Sequence, residues 1–204
     1  MSDKTYEDHN ANRDTLRVGR RKALKTIAIA GGTVFTASTL GPFVSFVPAA
    51  MAAPTAQKGW AWCSKCEGMF YDKDSQGKGH CPAGGAHTDV GSGHYFQIVG
   101  ETAVGQQGGW RWCKNCEGMF YSKAKGNHMG VCPAPAGGKH VETGSGHYAI
   151  KTGTVASAGV QTGWKWCPKC MGLFSEASST GTHMGVCPAG GTHTAGSGNY
   201  VQLS

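Results

Sequence analysis

The feature that most constrains this chain is a set of three cysteines and one histidine that recurs three times at closely matching spacing. The sets are Cys63, Cys66, Cys81 and His87; Cys113, Cys116, Cys132 and His140; and Cys167, Cys170, Cys187 and His193. Each opens with Cys-x-x-Cys, whose two-residue loop brings both sulfurs to one point, and closes with Cys-Pro-Ala, a glycine pair and the histidine. Three thiolates and an imidazole fill the tetrahedron of a zinc ion and leave no position for water, so the expected role of the metal is structural. The expectation is three zinc ions per chain. Gly68, Gly118 and Gly172, two places after the second cysteine, are expected to supply a positive φ to the turn.

The copies themselves select the fourth ligand. His94 and His147 stand in Gly-Ser-Gly-His-Tyr, where the third copy has Asn199; His128 and His183 lie four residues before the third cysteine, where the first copy has only His80 beside Cys81. Only His87, His140 and His193 recur at comparable offsets. A disulfide framework is the alternative for an exported chain, but three cysteines cannot all pair within a copy and nine cannot all pair within a chain. Iron remains open to a sulfur-rich donor set. The segments Trp62-Cys63-Ser64-Lys65-Cys66 and Trp166-Cys167-Pro168-Lys169-Cys170 look like thioredoxin-type redox centres. Those motifs open a helix, and no helical pattern follows here. As a whole, the repeats resemble zinc-ribbon or zinc-knuckle modules with a Cys3His ligand set.

The ligands sit inside longer copies: repeat 1 at 59–100, repeat 2 at 109–153 and repeat 3 at 163–204. Trp-x-Trp-Cys and Gly-Met-Phe-Tyr read as the arms of a hairpin, and Tyr95–Val99, Tyr148–Ile150 and Tyr200–Leu203 as closing strands. The fold class is therefore all-β. Copies that start 50 and 54 residues apart lie near the size at which a chain cannot bury enough apolar surface alone. A metal in each copy and a shared core both answer this. The short connections favour pseudo-threefold, β-trefoil-like packing over three separate beads.

Ahead of the repeats, Gly19-Arg20-Arg21-Lys22-Ala23-Leu24-Lys25 is followed by an apolar middle from Thr26 to Val47 and a small-residue end through Ala53. This layout resembles a twin-arginine signal peptide, with Ala23 where the usual aromatic stands. The resemblance implies a cleaved leader at 1–52, the twin-arginine export machinery as partner of the precursor, and a periplasmic or extracellular destination reached already folded. Glycines and Pro42 interrupt the apolar stretch and weaken it as a permanent membrane anchor.

The net charge of +7 divides into +3 for residues 1–52 and +4 for the remainder. Nine thiolates and three dications bring the latter to about +1, so nucleic acid is not an expected partner. No Gly-x-Ser-x-Gly, His-Glu-x-x-His or phosphate-loop pattern is present, and no catalytic residue is assigned. Binding is the remaining class. Tyr95, Tyr148 and Tyr200 with His94, His147 and Asn199 are candidate contacts for a carbohydrate or cell-envelope polymer, three weak sites on a monomer gaining avidity together. A thiol-active redox or zinc-storage protein is the alternative. The tryptophan pairs read first as core.

Overall fold

The computed structural model describes residues 55–72, 77–100, 102–176 and 183–204. The proposed leader, with its arginine pair and cleavage site, lies outside the described residues. Each copy contributes three strands: β1 (Thr55–Trp62), β2 (Met69–Tyr71) and β3 (Tyr95–Val99); β4 (Gln106–Trp112), β5 (Met119–Tyr121) and β6 (Tyr148–Thr152); β7 (Val160–Trp166), β8 (Leu173–Ser175) and β9 (Tyr200–Leu203). All nine join one sheet, and no helix occurs among the described residues. The all-β expectation holds.

Within a copy, the long first strand pairs twice. Its C-terminal half forms the predicted hairpin, with Trp60 opposite Tyr71 and Trp62 opposite Met69, while its N-terminal half pairs with the closing strand. A register shift between Gln57 and Trp60 separates the halves, and Gly59 sits there at φ 90°. The same shift recurs at Gly109 and Gly163. A bulge with a left-handed glycine bends a strand enough to serve two partners. The strands also begin earlier than the Gly-Trp pair suggested. Residues 55–58 are mostly exposed, and period-2 hydrophobicity gives no sign of them.

The copies are joined in a cycle. Ile98 and Val99 of β3 pair with Ala149 and Tyr148 of β6; Lys151 and Thr152 of β6 pair with Val201 and Tyr200 of β9; Leu203 of β9 returns to Phe96 of β3. The hairpins close a second cycle: Tyr71 N donates to the Glu117 carbonyl, Tyr121 N to that of Met171 and Ser175 N to that of Glu67, at 2.9 Å each. The β-trefoil label is not assigned by this pairing. What the pairing does is bury one core from all three copies, in which Trp60, Trp110, Trp164, Tyr95, Tyr148 and Tyr200 are 0–5% exposed. Separate beads would leave these rings in water.

Candidate metal centres

The Cys-x-x-Cys turns are tied by their own backbone. The Cys63 carbonyl accepts from Glu67 N at 2.8 Å and Cys63 N donates to the Gly68 carbonyl at 3.0 Å; the turns at Cys113 and Cys167 repeat both bonds. Reversal falls on the residue directly after the second cysteine, with Glu67, Glu117 and Met171 at φ 62°, 63° and 64°. The expected positive φ at Gly68, Gly118 and Gly172 is thus corrected by one position. Those glycines answer a need for space, because a Cβ there would lie 3.3–3.4 Å from the sulfur of the second cysteine.

Each predicted set is brought together, its four ligand atoms all within 4.8 Å of one another and every residue buried. The first and third cysteine sulfurs are 3.9, 3.8 and 4.0 Å apart in the three copies, and the second sulfur lies 3.5 Å from the histidine Nδ1 in each. With Zn–S of about 2.3 Å and Zn–N of about 2.0–2.1 Å, a tetrahedron has edges of about 3.8 Å between sulfurs and about 3.6 Å from sulfur to nitrogen. The donor sets fit zinc, one ion each. They do not fit a disulfide, whose sulfurs stand about 2.05 Å apart, and all nine cysteines are free.

Surrounding groups orient the ligands. Phe70, Phe120 and Phe174 stack on the imidazoles of His87, His140 and His193 at 4.6–4.8 Å. Backbone N–H groups of Thr88, Val141 and Thr194 donate to the first cysteine sulfur at 3.4–3.5 Å, which favours a thiolate. The outer nitrogens reach the next copy: His140 Nε2 donates to the Cys170 carbonyl and His193 Nε2 to the Cys66 carbonyl, both at 3.2 Å. Donation from Nε2 leaves the Nδ1 lone pair for the metal, an outer contact of the kind that fixes the tautomer of a ligating histidine. In the first copy the Cys116 carbonyl accepts instead from His80 N at 3.4 Å, and His87 Nε2 has no partner among the described residues.

Protons are held unevenly in each cluster. A hydrogen bond from the second cysteine of the turn draws Cys63 and Cys113 well below the ordinary thiol range and Cys167 to about 3. Cys66, Cys116 and Cys170 are pushed up by that same bond and by burial. Burial works to lower His87, but bonds to Cys63 and Cys81 outweigh it and lift the group to about 9. A dication that takes all three sulfurs displaces these protons, so zinc binding is coupled to proton release.

Gly79, Gly130 and Gly185, each two residues before the third cysteine, have φ of 59°, 69° and 59°, and a Cβ on them would fall 2.0–2.2 Å from the carbonyl oxygen of Cys116, Cys170 and Cys66. Each metal loop therefore rests on the Cys-x-x-Cys turn of the next copy. The recurrence of Gly-x-Cys was visible; that it marks a contact between copies was not.

The aromatic ligand-binding candidates fall elsewhere. The hydroxyls of Tyr95, Tyr148 and Tyr200 donate to Gln161, Gln57 and Gln107 of another copy, and their rings meet Trp164, Trp60 and Trp110 edge-on at 5.2–5.5 Å. Rings so enclosed present no face to a ligand, so the tyrosines serve as core. His94, His147 and Asn199 are exposed, as a surface site requires. His183, set aside as a ligand, bonds Glu67 of the first copy at 3.3 Å. The chain matches no protein-family model, no curated protein and no solved structure.

Proposed function

We propose that this chain is an exported, zinc-stabilised binding protein that recognises a carbohydrate polymer of the cell envelope through clefts repeated on its copies. The observation that carries the reading is a pair of clefts at equivalent positions. In the first copy a cavity of about 280 Å³ is lined by Gly59, Ala61, Asp72, Ser92 and His94. In the second, one of about 660 Å³ is lined by the equivalent Gly109, Arg111 and His147, with Lys123 and Thr102. Hydroxyl, carboxylate, imidazole and cationic groups around a shallow cavity suit the hydroxyls of a sugar, and equivalent clefts on one body engage a repeating polymer with avidity.

The metal centres support a structural role for zinc within this reading. Their sulfurs belong to residues 0–4% exposed, whereas reactive cysteines need access, which weighs against a redox or zinc-storage protein. The test is retention of the zinc-loaded mature chain on insoluble cell-wall polysaccharide, with His94→Ala and His147→Ala as variants. Retention that drops severalfold for each variant, and further for the pair, is expected. No retention, or retention indifferent to both changes, refutes the reading.

A further inference from the structure

The three metal centres share one ligand set but differ in what surrounds it. In the second and third copies the outer imidazole nitrogen is anchored, His140 Nε2 on the Cys170 carbonyl and His193 Nε2 on the Cys66 carbonyl, both at 3.2 Å. The equivalent acceptor for the first copy is the Cys116 carbonyl, which takes the backbone N–H of His80 at 3.4 Å instead. His87 Nε2 is buried and meets no acceptor among the described residues.

A second difference lies three residues before the third cysteine. Met129 packs against the cluster of Cys113, Cys116, Phe120 and Cys132, and Met184 against that of Cys167, Cys170, Phe174 and Cys187. The first copy has Lys78 there, and its backbone carbonyl accepts from His87 N as those of Met129 and Met184 accept from His140 N and His193 N. The Lys78 ammonium is held by Asp89 at 2.5 Å and Asp72 at 3.3 Å. A charged side chain tied to two carboxylates thus stands where the other centres have a thioether laid over their sulfurs.

Both differences bear on the metal. Zinc on Nδ1 requires the ring proton to sit on Nε2. In the second and third copies a carbonyl receives that proton. In the first it is buried without an acceptor, a cost that the metal-free loop escapes by turning the imidazole to water. Loss of one such outer partner weakens a metal site about 10–100-fold. Resting on the zinc assignment and not on the carbohydrate reading, we infer that Cys63, Cys66, Cys81 and His87 hold the exchangeable zinc of the set. At limiting zinc the chain carries two ions, and the third comes and goes at the first copy.

The test removes zinc stepwise from the purified, fully loaded chain with chelators of graded affinity. Native mass spectrometry counts the ions, and the imidazole NMR signals of His87, His140 and His193 show which centre empties. Expected is a two-zinc species with native circular dichroism, in which the His87 signals change first, at a free zinc concentration at least tenfold above that at which the other two ions leave. Lys78→Met, which unties the loop and supplies the thioether of the other copies, should tighten the first ion severalfold while the circular dichroism stays that of the wild type. Another centre emptying first, three ions leaving together, or a first centre no tighter in Lys78→Met overturns the inference and leaves the zinc assignment standing. Fewer than three ions bound at saturating zinc overturns both.

Discussion

Gly185 and Gly191 form a matched pair for testing whether the metal loops hold the copies to one another. Both belong to the third copy and both are left-handed, at φ 59° and 64°. They differ in what a methyl group would meet: nothing within 4 Å at Gly191, but the Cys66 carbonyl oxygen at 2.2 Å, its carbon at 2.5 Å and Glu67 Cβ at 2.8 Å at Gly185. Gly191→Ala should cost only the conformational penalty of a left-handed alanine, about 1–2 kcal/mol. Gly185→Ala carries the same penalty plus a separation of about 1 Å between two backbones, an overpacking that typically costs about 1–3 kcal/mol. It also strains the bond from His193 Nε2 to the Cys66 carbonyl, worth about 1 kcal/mol. The expected destabilisation is about 4 kcal/mol, at least 2 kcal/mol beyond its partner. Urea unfolding at fixed free zinc measures the difference, since ion concentration itself shifts stability. Displacing the Cys66 turn should also weaken zinc at Cys63, Cys66, Cys81 and His87, although the substitution lies more than 95 residues away in sequence. Two variants equal within about 0.5 kcal/mol, with the first site unaffected, would refute the inter-copy contact.

Three further outcomes follow from the same geometry. The purified chain should carry three zinc ions and release nine thiols on denaturation, and chelation should unfold it; one zinc or none, with disulfides present, contradicts the metal assignment. Burial raises Tyr95 and Tyr148 and lifts Tyr200 to about 12, against about 10 in an unfolded chain. The unfolded state thus loses these protons first, and stability present below about pH 10 declines as pH rises toward about 12. Urea midpoints across that range should show the decline, and Tyr200→Phe should flatten it; an identical slope sinks the assignment. Glu117→Met should cost about 1–3 kcal/mol by removing the acceptor for Trp112 Nε1, now bonded at 2.6 Å; an unchanged unfolding midpoint would show that this bond contributes nothing.

The third copy makes that last prediction sharper, because Met171 stands where Glu67 and Glu117 stand and Trp166 Nε1 has no partner among the described residues. Differences between copies are thus as informative as their agreement. They chose His87, His140 and His193 from nine histidines, and the four ligands then met in space. The same comparison applied to Ala61, Arg111 and Lys165 had no meaning until the structure set the Lys78 ammonium against Asp72 and Asp89, a cation for the first copy from a different position.

The parts legible in the sequence were those governed by local chemistry. Ligand identity follows from what zinc accepts, the hairpins and closing strands follow from alternation over a few residues, and both survive in any arrangement of the copies. The position of the left-handed residue was misplaced by one because Gly68 marks either conformational freedom or lack of space, and only the sulfur 3.3 Å away distinguishes them. The tyrosines posed the same difficulty, since a ring at the start of a strand reads alike whether it faces water or a tryptophan of another copy. Tertiary structure alone decided which copy touches which: the cyclic pairing of β3, β6 and β9, the resting of each metal loop on the next turn, and the enclosure of the tyrosines. Three near-identical modules have no local preference for a neighbour, so the choice falls to backbone approach and shared burial, which exist only once the chain has closed.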